Sequence, residues 1–342
     1  MDRRVTLRDV AKAAGVSRTT ASNVVMGTGR ISDETRERVR SAMAELGYVY
    51  HQAAGALRRR TSRAVGVVVT NIHRPHFGEL LLGLESTFTE AGYTSLVVST
   101  MDRLDRQARA VSTLREHSVA GLAMIPATGS GPELLRALDD WDVPSVFVSR
   151  YVRGYDRPYV GPDDVLGGRL AGEHLLDHGC RTLAYIGGNP EVMSRIDRIA
   201  GVRQAIEARG ADVALVDWVG EPSGEGGLEL GRRLLREGAM PDGVLCHGDA
   251  VAMGFERALH EAGRTGDVRV IGYDGVAATG YWIPALTTVA TNGYALGRQA
   301  AEELIGALEG GRAPASQLQR PRLIVRESCG AHEPAAEARR PI

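Results

Sequence analysis

The stretch that decides the reading is Thr6-Leu7-Arg8-Asp9-Val10-Ala11-Lys12-Ala13-Ala14-Gly15-Val16-Ser17-Arg18-Thr19-Thr20-Ala21-Ser22-Asn23-Val24-Val25. Thr6 offers a hydroxyl to free backbone N–H groups, and Asp9 stands three residues later, so a capped helix is predicted there. Leu7, Val10, Ala11 and Ala14 recur at i, i+3, i+4 and i+7, an apolar stripe. Gly15 ends that helix and supplies a tight turn. Ser17 then caps a second helix running to about Met26, with Ala21, Val24 and Val25 inward and Arg18, Thr19, Ser22 and Asn23 outward. A third helix is predicted from Ser32, with Asp33 and Glu34 in its first turn; it buries Val39, Ala42, Met43 and Leu46 and stops at Gly47.

Two short helices joined by a four-residue turn, the second with a polar hydrogen-bonding face, make the outline of a helix-turn-helix. The outward side chains suit base edges: Arg18 guanine, Asn23 adenine, and the Thr19 methyl thymine. Ser17, Thr20 and Ser22 suit phosphate oxygens. The same pattern also describes a three-helix module with an ordinary polar face. Charge bears on the choice. Residues 1–63 hold 13 Lys+Arg against 6 Asp+Glu, whereas the rest of the chain holds 28 against 36. A basic head on an acidic body points to a polyanion for the head and another task for the body.

Composition narrows the class further. Of the 342 residues 43% are hydrophobic and 24% charged, as expected of a soluble globular chain. No apolar run nears the ~20 residues that cross a bilayer, and the start lacks an apolar h-region, so neither membrane nor secretion is expected. Cys180, Cys246 and Cys329 are widely spaced, odd in number and without a CxxC pair, which suggests neither a zinc cluster nor a disulfide framework. A reduced cytoplasm fits.

Between head and body lies His51-Gln52-Ala53-Ala54-Gly55-Ala56-Leu57-Arg58-Arg59-Arg60. Its alanines favour a helix and Gly55 opposes one by about 1 kcal/mol. A segment this short is marginal alone, and its arginines repel one another until phosphates neutralise them. Ordering coupled to DNA binding is the expectation, with a disordered basic linker as the alternative.

The head closely resembles that of lac-repressor-type (LacI/GalR family) transcriptional regulators. The likeness rests on Val5 to Ala11, Gly15 to Val25, Ile31-Ser32-Asp33-Glu34-Thr35-Arg36-Glu37-Arg38-Val39 and Leu46-Gly47-Tyr48. Ala21 and Met26 depart from the common valine and asparagine. The resemblance implies hinge helices of a dimer in the minor groove, with Leu57 as the wedge between base steps, Ala54 close to the groove, and Gly55 in place of a larger residue. The DNA-facing set expected is Thr6, Ser17, Arg18, Thr19, Thr20, Ser22, Asn23, Ala54, Leu57 and Arg58.

From Ala64 onward short apolar runs alternate with amphipathic stretches: 64–69, 95–99, 121–125, 145–148, 183–186, 213–219, 243–246, 268–271 and 323–325. That alternation predicts parallel sheets with helices on both faces, divided between two lobes. Ligands of such sheets bind beyond the strands' carboxyl ends. The polar residues there are Asn71, Arg74 and His76 with Phe77, then Ser149 and Arg150, Asn189 to Arg198, His247 and Asp249, and Tyr273 and Asp274. No nucleophile elbow, phosphate loop or dinucleotide fingerprint occurs. Lone histidines such as His117 and His178 read as surface or core, and no catalytic or metal site is expected.

The resemblance extends, more thinly, to about residue 328 through Arg198-Ile199-Ala200-Gly201, Ile271-Gly272-Tyr273-Asp274 and Pro284 to Val289. It implies an all-α helix-turn-helix headpiece plus an α/β two-lobed periplasmic-binding-protein-like effector domain. The divisions expected are 1–50 headpiece, 51–63 hinge, 64–330 effector and dimerisation domain, and 331–342 tail. Lobe 1 is 64–162 with 291–320; lobe 2 is 163–290 with 321–330. Arg198 and Asp274 would hydrogen-bond the effector, His76 and Phe77 would face it from lobe 1, and Ser149 and Ser194 would lie nearby. With Asp249 from the strand-end reading, these seven make the effector set expected. Gly248 and Ser149 stand where the family often has asparagine and aspartate, so a hexose site is altered and a modified sugar or nucleoside-like ligand stays open. The overall expectation is a cytoplasmic, homodimeric transcriptional repressor acting at a near-palindromic double-stranded DNA operator, gated by a sugar-like small molecule that either induces or co-represses, without a cofactor. A solute-binding protein and an enzyme with an added head are the rivals. The tail shows no leucine heptads.

Overall fold

A computed structural model describes residues 5–25, 28–48, 62–210 and 212–330. They fall into two compact units divided between Ser62 and Arg63. The hinge residues Ala54, Leu57 and Arg58 lie outside the described residues, as does Met26.

The first unit holds α1 (Leu7–Ala13), α2 (Arg18–Val25) and α3 (Asp33–Glu45). Thr6 and Asp9 close the full reciprocal capping box at the start of α1. Ser17 Oγ accepts the Thr20 N–H at 3.0 Å, starting α2 one residue later. Ser32 caps α3 through the Thr35 N–H. Val10, Ala11, Ala14, Ala21, Val39 and Ala42 form the buried centre. Arg38 of α3 donates to the carbonyls of Ala14 and Gly15, satisfying the C-terminal end of α1 with a cation. One inward residue is corrected: Leu46 is 37% exposed, because it caps α3 one step beyond the face that Val39 and Ala42 bury.

The second unit contains two six-stranded sheets. Strands β1 (Ala64–Val69), β2 (Thr94–Ser99), β3 (Leu122–Met124), β4 (Ser145–Val148), β5 (Tyr159–Pro162) and β11 (Gln317–Gln319) form one, ordered β11-β5-β4-β3-β1-β2 and parallel throughout. The other comprises β6 (Thr182–Ile186), β7 (Ala214–Trp218), β8 (Gly243–Cys246), β9 (Arg269–Asp274), β10 (Thr287–Ala290) and β12 (Arg322–Ile324), ordered β12-β10-β9-β8-β6-β7. Here β12 runs antiparallel to β10, an exception to the parallel expectation. The chain crosses between sheets three times, after β5, after β10 and between β11 and β12. Strands β5, β10 and β11 carry no apolar run that marked them in the sequence. Tyr-Val-Gly-Pro, Thr-Thr-Val-Ala and Gln-Leu-Gln become strands through tertiary pairing.

Helices cover both faces of each sheet. On the first, α4 (Pro75–Glu90) and α11 (Gly293–Gly310) bury Leu80, Leu84, Phe88, Leu296 and Leu304. Its opposite face takes α5 (Leu104–Glu116) and α6 (Pro132–Asp139). On the second, α7 (Asp164–Asp177) and α8 (Met193–Arg209) pack one face, and α9 (Gly224–Glu237) and α10 (Asp249–Glu261) the other. Glycines set the closeness of these pairs. A Cβ on Gly168 would lie 1.9 Å from the Arg198 carbonyl oxygen, and one on Gly201 2.0 Å from that of Val165. Only glycine permits that backbone approach. Among the described residues no helix is long and apolar enough to cross a membrane.

Candidate functional site

In the first unit, Arg18 and Thr19 of α2 are exposed and Ser22 and Asn23 half-buried, while Ala21 faces the core. Arg18 and Thr19 thus stand outward, and Ser22 and Asn23 lie one turn on at i+4 along the same side. Ser17 and Thr20 have a second task, since their hydroxyls lie 2.8 Å apart at the helix start. The Thr6 hydroxyl donates to Asp9 Oδ2 at 2.6 Å and so belongs to the α1 cap.

In the second unit a cleft open to solvent lies at the carboxyl ends of both sheets. All seven residues of the expected effector set line it: His76, Phe77, Ser149, Ser194, Arg198, Asp249 and Asp274. So do Arg74, Arg150, Pro222, His247, Gly248, Met253 and Val276. Arg74, Arg150 and His247 carried the signal of polar residues after strands. Pro222, Met253 and Val276 carried none.

Arg198 is the most restrained group. Its Nε donates to Asp164 Oδ1 at 2.8 Å, its Nη1 donates to the His247 carbonyl at 2.7 Å, and its guanidinium lies 3.5 Å over the Tyr273 ring. The Tyr273 hydroxyl donates to the same Asp164 oxygen at 2.8 Å. Burial works against the Arg198 charge; Asp164 counters it and holds the guanidinium ionised well above the usual arginine range. Sequence reasoning missed Asp164, which looks like an N-terminal helix acid.

His247 sits behind Arg198, its Nδ1 2.9 Å from the Tyr185 hydroxyl. Burial first, then Arg198, Arg150, Arg74 and Arg195, push its pKa well below the ordinary histidine value, so the ring is neutral. Asp249 is buried and accepts from Thr288 Oγ1 at 2.6 Å and the Val276 N–H at 2.7 Å. Burial first and the Asp274 charge second push its pKa up to about 8. Asp249 therefore holds the β10 end and the loop after β9 rather than reaching freely into the cleft.

Asp274 differs. It adopts φ 110 at the end of β9, and among the described residues its carboxylate accepts no hydrogen bond. The hydroxyls of Ser149 and Ser194 are equally uncommitted. Arg150 is anchored to Asp102 at 2.8 Å and Thr128 at 3.3 Å. His76 Nδ1 lies 3.5 Å from Thr291 Oγ1, and Phe77 supplies an apolar wall beneath Arg74. The cleft thus offers a fixed cation, an uncommitted carboxylate, two hydroxyls and an aromatic face. That set suits a compact polar ligand rich in hydroxyls. Away from the cleft, His174, His178 and Cys329 converge.

Comparison with known proteins adds the following. A family described as bacterial regulatory proteins, lacI family, matches residues 6–50, and a periplasmic binding protein-like domain matches residues 173–329. The ribose operon repressor of Halalkalibacterium halodurans is 31% identical over 94% of this chain and 96% of its own. The HTH-type transcriptional repressor PurR of Pectobacterium atrosepticum is 32% identical over 94% and 96%. Among solved structures, the lac repressor dimer bound to operator and the anti-inducer ONPF superposes with a TM-score of 0.87 at 27% identity, over 96% of this chain and all of that one. A transcriptional regulator CelR–cellobiose complex gives 0.72 at 29%, over 95% of this chain and all of that one.

Proposed function

The chain belongs to the lacI family of bacterial regulatory proteins, and on that premise we propose that it is a cytoplasmic transcriptional repressor whose operator affinity is set by a sugar-like metabolite in the cleft. A homodimer reads the operator: one α2 covers a half-site, and a two-fold pair matches a near-palindrome. The lac repressor dimer on its operator, similar along the whole chain, supports this reading. Arg18, Thr19, Ser22 and Asn23 read base edges, and Ser17 and Thr20 approach phosphates from the helix start.

The observation that carries the effector reading is the contrast between Arg198 and Asp274. Arg198 is immobilised by Asp164, Tyr273 and His247, so it donates its remaining N–H groups at no ordering cost. Asp274, uncommitted, accepts from neighbouring ligand hydroxyls. Binding rather than turnover is the task. Effector and operator are coupled reciprocally, each changing the other's affinity by one factor.

The test combines selection from a randomised duplex pool with a gel shift of the selected site. A thermal-shift panel of pentoses, hexoses, disaccharides, nucleosides and nucleobases finds the effector, and the gel shift with each hit reads the sign of its effect. Asp274→Asn should abolish the response while leaving effector-free DNA binding intact. A monomeric protein, no sequence preference, or an Asp274→Asn response like the wild type's would each defeat the reading, as would product formed from a hit after overnight incubation.

A further inference from the structure

Helix α7 begins behind the cleft with Asp164, which holds Arg198, and ends, about 20 Å away by helical rise, at a second cluster. His174 lies in its last turn and His178 is its C-cap residue. This i, i+4 spacing puts both imidazoles on one side of the helix, and their rings meet edge to face with centroids 4.7 Å apart. The 3-10 turn Glu327–Cys329 closes the described chain against them, with Cys329 Sγ 3.2 Å from His174 Nε2. Ligand atoms of the three residues all lie within 4.8 Å of one another.

Tetrahedral zinc with bonds of about 2.0–2.1 Å to nitrogen and 2.3 Å to sulfur places its donors roughly 3.3–3.6 Å apart. The His174–Cys329 pair, at 3.2 Å, stands just inside that spacing, and all three donors lie within 4.8 Å of one another. The donor types agree with it: a thiolate and two imidazoles favour zinc and related borderline or soft cations over magnesium or calcium. Burial pushes the Cys329 thiol up, a cost that a bound cation would offset. Thr287 Oγ1 lies 2.9 Å from Cys329 Sγ and can donate to it. Cys329 is buried while both histidines are partly exposed, so the cluster lies at the surface of the unit.

We propose that His174, His178 and Cys329 form a zinc-class metal site that clamps the C-terminal end of α7 to the closing turn of the second unit. On binding, Cys329 gives its proton to solvent and becomes the thiolate ligand. The metal joins residues some 150 positions apart in the chain and steadies the helix whose first residue holds Arg198. The sequence alone suggests no such cluster, because its third donor is remote and carries no spacing signal.

The test uses the full-length, tag-free protein, treated with chelator and dialysed, then titrated with Co(II). One equivalent should produce a thiolate-to-cobalt charge-transfer band and tetrahedral d–d bands, both bleached by Zn(II). Zn(II) should also raise the melting temperature in a concentration-dependent way. Cys329→Ser should lose the charge-transfer band. His178→Asn, at a partly exposed position that tolerates the change, should keep its far-ultraviolet circular dichroism and weaken cobalt binding at least tenfold. No charge-transfer band in the wild type, a band that persists in Cys329→Ser, or unchanged affinity in His178→Asn would overturn the assignment.

Discussion

Asp164 Oδ1 accepts the Arg198 Nε hydrogen bond at 2.8 Å, and both side chains are more than nine-tenths buried. The pair bridges α7 and α8 where those helices touch through Gly168 and Gly201. A buried ion pair is weak evidence for stability, because desolvating two charges offsets their attraction. Its role here is positional: it aims a guanidinium at the cleft and holds it there.

Removing one partner tests that role. Asp164→Ala leaves a buried cation without its counter-ion, and such losses amount to about 3–5 kcal/mol. Urea unfolding of the body should show a destabilisation of that size, and effector binding should vanish with it. A midpoint equal to the wild type's would mean that Arg198 is held by His247 and Tyr273 alone.

The glycine contacts make a paired prediction. Gly201→Ala introduces a Cβ 2.0 Å from the Val165 carbonyl oxygen, so α7 and α8 must separate. Overpacking of this kind costs about 1–3 kcal/mol or more. Gly78→Ala, in α4, meets nothing within 4 Å and should stabilise the body by roughly 0.5–1 kcal/mol. Thermal melts of the two variants should move in opposite directions.

Glu256 predicts a pH dependence. It lies on α10, 3% exposed, and its Oε2 finds no hydrogen-bond donor among the described residues. Burial pushes its pKa from 4.5 up to about 7. The folded state therefore holds a proton that the unfolded chain releases near its ordinary pKa. Stability from this group is fully present below about pH 4.5 and is lost as pH rises through about 7, by up to about 3 kcal/mol. Asp249, with its pKa near 8, acts in the same direction. Glu256→Gln should flatten the fall between pH 5 and 8 and be the more stable protein at pH 8. Parallel wild-type and variant profiles would exclude Glu256 as the source.

Arg18 separates base reading from phosphate binding. Arg18→Ala should lose about 1–3 kcal/mol of preference for the selected operator over random duplex, measured by competition gel shift. A phosphate-contact variant should weaken both DNAs alike and reduce the salt slope. If Arg18→Ala follows the second pattern, base reading lies elsewhere on α2.

The head was legible because its determinants are local. Thr6 with Asp9, Ser17 with Thr20, and Ser32 with Thr35 each act over three residues, within reach of a capping rule. Leu46 misled for the complementary reason: helical period alone does not say where a buried stripe ends. In the body, β5, β10 and β11 were illegible because a strand's neighbours, more than its composition, make it one. The cleft residues could be nominated as polar positions after strands, yet nothing local distinguished Asp274, whose carboxylate is uncommitted, from Asp249, which Thr288 and Val276 hold.

From the sequence alone came the capped helices with their polar face, the charge split between head and body, and the strand–helix alternation with its carboxyl-end candidates. These follow from interactions spanning a few residues and from side-chain period. The tertiary structure alone decided that residues from 74 to 276 share one cleft, that Arg198 is fixed by Asp164, and that His174, His178 and Cys329 meet. Such contacts are set by sheet order and helix approach, which depend on the whole chain packing at once and leave no mark within any single window of residues.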